Sequence, residues 1–286
     1  MKRPLPLLRP SILPLMLMLL LWSCEHGNPV NRVTAASENI RLLSDAEKEA
    51  RQAIIDEFLN ECAAKHPLYS RQRQKCLDAG LEKDPTIAYL WQQKAMPLFK
   101  QGKYEAGMEF IDKAVKFDRQ RYLPYRAFIK CIFAKTYRAA IADFEECIER
   151  FGNGYVMDHT YKFHIALSHL QLNEFEQAEA VFEEDIMEQR QQWGEDGAHH
   201  LDLFYFGISK YELGKYAEAI AEFDKALALY PNFSDVQYYK AFCLMYLGKE
   251  AEALTLFEAA KKNGMAGNTI NEDNVIYERY PYQVKW

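Results

Sequence analysis

The feature that most constrains this chain is an internal repeat. Ala219-x3-Phe223-x2-Ala226 returns as Ala253-x3-Phe257-x2-Ala260, a shift of 34 residues. The same frame reads Ala178-x3-Phe182, Ala140-x3-Phe144-x2-Cys147 and Gly107-x3-Ile111-x2-Ala114. Five residues upstream of each leading small residue stands a turn position: Gly102, Lys135, Asn173, Gly214 and Gly248. Two residues past the turn comes an aromatic (Tyr104, Tyr137, Phe175, Tyr216), with Glu250 as the exception. Twelve residues upstream of the leading residue is another small one (Ala95, Ala166, Gly207, Ala241), with Phe128 as the exception. Self-similarity at a period of this length is the mark of stacked repeats. Each unit reads as two amphipathic helices joined by a tight turn. The small residues let the two helices approach, and the aromatics fill the gap to the next unit. One unit alone cannot bury its apolar face, so the units must stack into a solenoid.

Trp91 and Pro231 fall where a 34-residue pattern places its Trp and its closing Pro. With them, the frame resembles the tetratricopeptide repeat (TPR), in five copies over residues 86–262. The resemblance implies an all-α fold, an α-solenoid of helical hairpins. The leading small residues are spaced 33, 38, 41 and 34 apart, which places insertions after the second and third copies, between units. A degenerate N-terminal hairpin is expected over 44–85. Ser44-Asp45-Ala46-Glu47 is a helix-start signal. Ile54, Ile55, Phe58 and Leu59 recur at helical spacing, Pro67 ends that helix, and Asp84-Pro85 ends its partner. Six hairpins result.

Residues 1–23 read as a signal peptide. Lys2, Arg3 and Arg9 form a basic start, and an apolar run from Ile12 to Trp22 follows. That run is short of the roughly 20 residues a membrane span needs and has the size of a secretory core. Leu21-Trp22-Ser23-Cys24 resembles a bacterial lipobox. The resemblance implies cleavage before Cys24, acylation of Cys24 (palmitate among the chains) and, with Glu25 next, the outer membrane. Residues 24–43 are then a lipid-anchored flexible tether reaching ~25 Å. The formal charge of −6 becomes −9 without the three basic residues of the leader. So acidic a body argues against nucleic acid as a partner and limits membrane contact to the anchor. Hydrophobic residues at 49% with 13 Gly and 11 Pro exclude wholesale disorder and collagen, and argue against a turn-rich β-sandwich.

Catalytic and cofactor motifs are not found. Gly207 to Gly214-Lys215 has the wrong spacing for a phosphate loop, and Tyr216 stands where Ser or Thr is needed. His159, His164 and His169 are five apart, which scatters them around a helix, so no metal site is expected from them; His199-His200 reads as a solvated loop. Among the cysteines, Cys62 and Cys76 are the possible disulfide. One sits near the end of a helix and the other near the start of its antiparallel partner, at heights ~4 Å apart. Cys131 and Cys147 lie ~11 Å apart by the same count, beyond disulfide reach. With Cys243 they read as small buried apolar residues.

In solenoids of this type the first helix of each hairpin lines the concave face. The expected lining offsets are six and three before the small residue, one and four after it. The candidate partner groove is then Tyr89, Met96 and Phe99; Tyr122, Tyr125 and Ile129; Phe163, Leu167 and Leu170; Phe204, Ile208 and Tyr211; and Tyr238, Phe242 and Met245, with Ile132 and Leu201 beside them. Gln92, Thr160 and Asp235 are its polar members, 3 of 20. Lys, Arg and Asn, which clamp acidic peptide termini in some TPR proteins, are missing from it. An apolar trough of this size marks an interaction site unless the chain fills it. The C-terminal tail, 263–286, lacks a full capping helix. Its Tyr280, Tyr282, Val284 and Trp286 alternate like an extended segment with one sticky face. It could be a self-ligand, a cap or a docking strand; between covering the last hairpin and folding back near Phe242 and Tyr238, the cap is favoured because it needs no long reversal. The expected function is a membrane-tethered scaffold binding a protein or peptide in the bacterial cell envelope, with no chemistry of its own. The alternative is an inhibitor or immunity-type protein that blocks one toxin or enzyme.

Overall fold

The computed structural model describes residues 43–195 and 197–286. The signal peptide, Cys24 and nearly all of the tether lie outside the described residues.

The hairpins follow one another along the chain. Helix α1 (Asp45–Ile55) continues into a π-helical turn, Asp56–Asn60, and pairs with α2 (Arg71–Lys83). Ser44 caps α1 reciprocally with Glu47, as the sequence signal predicts. Then come α3 (Ala88–Phe99) with α4 (Tyr104–Phe117), and α5 (Arg119–Phe128) with α6 (Tyr137–Phe151). After them follow α7 (Tyr161–Gln171) with α8 (Phe175–Trp193), α9 (His200–Glu212) with α10 (Tyr216–Leu229), and α11 (Ser234–Tyr246) with α12 (Glu250–Met265). Both insertions stand between units. The first is a two-stranded ribbon, β1 (Tyr155–Val156) antiparallel to β2 (His159–Thr160). The second combines an α8 of 19 residues with the loop that follows it.

The repeat residues occupy the places their chemistry demands. Gly102, Lys135, Asn173, Gly214 and Gly248, read as turns, all have φ between +56° and +75°. That left-handed conformation ends a helix, and only glycine takes it without steric cost. Gly107, Ala140, Ala178, Ala219 and Ala253 are all buried. A Cβ on Gly107 would meet the ring of Phe99, and one on Gly207 the ring of Phe223, so both helix pairs are in ring-to-backbone contact. Phe128, the exception among the small residues, also has a cause. Helix α5 runs on into a π-helical turn, Ile129–Phe133. Such a turn holds one extra residue and moves the small position back to Ala127, which is fully buried.

One apolar core runs through the five later hairpins, and a smaller one around Leu59, Leu77, Leu81 and Leu90 serves the first. Charged pairs also tie helix to helix: Arg126 of α5 reaches Asp112 of α4 and Asp143 of α6, each at 2.8 Å. Among the described residues, no helix is long and apolar enough to cross a membrane.

Candidate functional site

The first helices of the later hairpins hold the chain's own tail. After Met265 the backbone turns at Gly267 (φ +85°) and runs past the start of α11. There Asp235, fully buried, accepts from Thr269 Oγ1 (2.6 Å) and the Ile270 N–H (3.1 Å). Glu272 next comes within 3.4 Å of His159 Nε2, ahead of α7. A 3-10 turn, Asp273–Ile276, leads on to the ends of earlier first helices. Lys100, just past α3, sits over the Tyr277 ring, and Lys135, past α5, pairs with Glu278 at 3.1 Å.

The chain then reverses. Tyr282 has φ +57°, the Gln283 N–H donates to the Tyr280 carbonyl, and the Arg279 guanidinium bonds the Gln283 carbonyl. The return limb retraces its path. Tyr205 Oη of α9 donates to the Pro281 carbonyl (2.9 Å), and Tyr282 Oη donates to Glu212 (2.8 Å) at the end of α9. The Val284 N–H donates to Asp235 (2.6 Å), so a single carboxylate grips both limbs. Trp286 finishes against Tyr238 and the backbone of Gly264. Tyr280 is 3% exposed. Burial raises the Asp235 carboxyl above its ordinary range, although the Thr269, Val284 and Ile270 donors oppose the shift.

This departs from the expected cap in extent and shape. The tail meets the last hairpin along α11, at Asp235, Tyr238 and Tyr239, and runs on from there along the first helices of earlier hairpins instead of closing the end of the stack. Nor is 280–286 one extended strand, because the aromatics go to separate places on either side of a turn. A cleft of about 440 Å³ remains beside it, lined by Lys135, Tyr137, Gln171, Tyr239 and residues 279–283.

The expected lining residues divide by burial. Phe99, Tyr122, Ile129, Phe163, Leu167, Leu170, Phe204 and Ile208 are buried. They act as packing between elements: Phe163 lies against Phe182 of α8 and Tyr205 of α9, and Phe204 against Phe223, Phe233 and Tyr239. Tyr89, Met96, Tyr125, Tyr211, Tyr238 and Phe242 are half-buried, and Met245 is exposed. Of the fifteen named, Tyr238 touches the tail directly through Trp286. The stronger tail contacts come from Tyr205, Glu212, Asp235 and Tyr239, and Tyr239 meets the Tyr282 ring at 5.7 Å. Two signals for them stand in the sequence. Asp235 is the single acid among the lining residues, and Tyr205 and Tyr239 share one repeat position, two before the small residue. Cys62 and Cys76 are joined in a disulfide, with Cα atoms 5.8 Å apart. Cys131, Cys147 and Cys243 are free and buried.

The histidines differ from the expectation. His159 belongs to β2, not to the helix, and stacking places α9 beside it. His159 Nδ1 is 2.8 Å from Asp202 Oδ1, both 2% exposed. Burial alone would lower the His159 pKa. The hydrogen bond and charge of Asp202, with Glu272 behind them, win and hold it up at about 9. Asp202 is lowered: burial pushes it up, and the bond to His159 outweighs that. The ligand atoms of His159, His199 and Asp202 lie within 4.8 Å of one another.

Family models described as tetratricopeptide repeats match residues 88–121 and 206–268. Among solved structures, a tetratricopeptide repeat protein from Parabacteroides merdae superposes with TM-score 0.58 at 16% identity, over 75% of this chain and 80% of that one. PilW, described as a widely conserved type IV pilus biogenesis factor, superposes with TM-score 0.57 at 13% identity, over 78% and 96%. The C-terminal part of a TPR repeat-containing protein from Cytophaga hutchinsonii gives 0.55 at 15%, over 76% and 80%. No curated protein matches the sequence. These likenesses speak to fold, and with the hairpins above they give one conclusion: this chain is an all-α solenoid of helical hairpins that carries tetratricopeptide repeats.

Proposed function

We propose that this protein is a membrane-tethered interaction scaffold of the bacterial cell envelope. Its first helices receive an extended segment of a partner protein, and it performs no chemistry of its own. The observation that carries the reading is the tail itself. The solenoid already holds a peptide-like segment, and it does so largely through that segment's backbone. Asp235 takes backbone N–H groups at Ile270 and Val284, and Tyr205 donates to the Pro281 carbonyl. Backbone capture of this kind gives affinity, and side-chain pockets add specificity. A partner segment with aromatic residues can therefore use the same contacts once the tail yields. The lipobox-like Leu21–Cys24 segment supports the tether, and acylation of Cys24 would set the location.

The test of the groove uses a chain ending at residue 268 and a synthetic peptide of residues 269–286. The peptide should bind the truncated, folded protein in trans, saturably and one to one, and not the full chain. A folded truncation that leaves the peptide unbound would sink this reading. The test of the tether is Cys24→Ala: a processed protein of this variant should leave the membrane fraction. Continued detergent-only extraction would refute lipidation.

A further inference from the structure

We propose that His159, His199 and Asp202, with Glu272 of the tail behind the His159 ring, form a site for one divalent transition-metal ion of the Zn²⁺ class. The inference concerns a separate place from the backbone contacts at Asp235, and it stands whatever partner the solenoid receives.

Three parts of the fold converge to make the cluster. His159 is on β2, His199 caps α9 and Asp202 stands in the first turn of α9. Their candidate ligand atoms all lie within 4.8 Å of one another. In a tetrahedral zinc site the metal–ligand distances are about 2.0–2.2 Å, so ligand atoms stand roughly 3.5 Å apart. Closing the difference takes a rotation of His199, whose side chain is exposed and whose cap bond to the Leu201 N–H is long, at 3.4 Å. Glu272 faces the other ring nitrogen, His159 Nε2, at 3.4 Å and orients the imidazole from behind while Nδ1 meets the ion.

The chemistry of the set suits such an ion. The ion takes the place of the proton between His159 Nδ1 and Asp202; with that proton gone, two imidazoles and the two nearby carboxylates carry a net charge of −2, which a dication neutralises. Imidazole with carboxylate suits Zn²⁺ and its neighbours, whereas Ca²⁺ and Mg²⁺ prefer oxygen alone. The surrounding shell is present as well. Asp202 Oδ2 accepts from Gln189 Nε2 at 2.9 Å, which fixes the carboxylate. The His159 ring lies stacked on Phe163 at 4.0 Å between centroids, which fixes the imidazole. Fixed ligands of this kind are what distinguish a metal site from a chance meeting of side chains. The other cluster of ligand residues, Cys62, His66 and Cys76, has its two sulfurs committed to the disulfide.

A bound ion would fasten His159 to the start of α9, and Glu272, at the other ring nitrogen, would link the outgoing limb of the tail to it. The experiment uses the full chain, oxidised and purified without added histidines, and Zn²⁺ alone as the probe. Equilibrium dialysis should find one Zn²⁺ per chain, and saturation should raise the melting temperature. Co²⁺ in its place should give the visible absorption of a low-symmetry nitrogen–oxygen site. His199→Asn is the decisive variant, because Asn keeps a helix-capping side chain and removes the imidazole; it should weaken Zn²⁺ binding at least about tenfold. Glu272→Gln should weaken it by a similar factor and cancel the metal-dependent rise in melting temperature. A full chain that binds no Zn²⁺ at micromolar concentration overturns the proposal. So does a His199→Asn chain that binds as tightly as the parent. An unaltered affinity in Glu272→Gln overturns the part played by the tail.

Discussion

Tyr122 in α5 and Asp235 in α11 stand near the starts of the first helices of the third and the last hairpins, and both are buried. Their polar atoms meet different fates. The Tyr122 hydroxyl has no hydrogen-bond partner among the described residues. The Asp235 carboxylate takes donors from both limbs of the tail. The same repeat scaffold thus carries an aromatic inner surface in its earlier hairpins and an acid grip in its later ones. A buried carboxylate is costly unless donors reach it, so the later hairpins require the tail in a way the earlier ones do not. Tail docking is decided by a few polar atoms, while the apolar surface supplies area along the stack.

The largest expected effect is loss of the tail. A chain ending at residue 268 uncovers the surface under Ile270, Tyr280 and Trp286 and strips Asp235 of its donors. The net cost is about 3–5 kcal/mol after ordering entropy, or a fall in melting temperature of roughly 10 °C, with more binding of a hydrophobic dye. Equal melting and equal dye binding would mean the tail is not held. Next comes the direct contrast between the two residues. Asp235→Ala orphans three donors and should cost about 2–3 kcal/mol, with faster hydrogen exchange at Ile270 and Val284. Tyr122→Phe removes a hydroxyl that bonds nothing and should stay within about 0.5 kcal/mol of the parent. If the two substitutions cost the same, the contrast is wrong.

A third effect depends on pH and is read with a chelator present. His159 is held up at about 9 in the folded chain, above its ordinary 6.5. A group raised on folding contributes stability that is complete below the unfolded pKa and disappears as pH rises through the folded one. Melting temperature should therefore decline between pH 6.5 and 9. Glu272→Gln, which removes one of the two carboxylates facing His159, should flatten that decline; an identical slope in the variant would exclude the tail from the His159 cluster. The smallest effect concerns the turns. Gly248 has φ +75° and open space around its Cβ position, so Gly248→Ala should cost only the backbone strain, about 1–2 kcal/mol. Asn173→Gly, at φ +59°, should gain a fraction of that. Guanidinium unfolding of the two variants checks the pair, and opposite signs are the required outcome.

Much of the fold was legible because it is local and repeated. Turn residues show themselves by spacing, and the same left-handed φ is imposed five times by the same hairpin geometry. Small residues at helix crossings show themselves because any larger side chain would push the helices apart. The lining residues were less legible. A helix offset fixes a direction around the helix axis, yet neighbouring hairpins take most of that direction for packing, as Phe163 and Phe204 illustrate. The π-helical turn in α5 shifts the register by one residue and hides Ala127 behind Phe128. The His159 cluster is not legible from spacing, because His159 stands on β2 and not on the helix that carries His164 and His169. The partner of His159 is 43 residues away on another element, and no periodicity within one helix can reveal it.

The repeat, the six hairpins, the places of the insertions and the residues that turn the chain follow from the order of the amino acids. Each of these follows from short-range sterics: helix pitch, a positive φ, a side chain too large to fit. The tertiary structure alone decided where the tail goes and what it meets. That choice rests on the starts of α7, α9 and α11 being side by side, which brings His159, Asp202 and Asp235 within reach of one returning segment. Stacking distance between hairpins and the direction of a chain reversal at Tyr282 are sums over many contacts, and neither is written in any single stretch of residues.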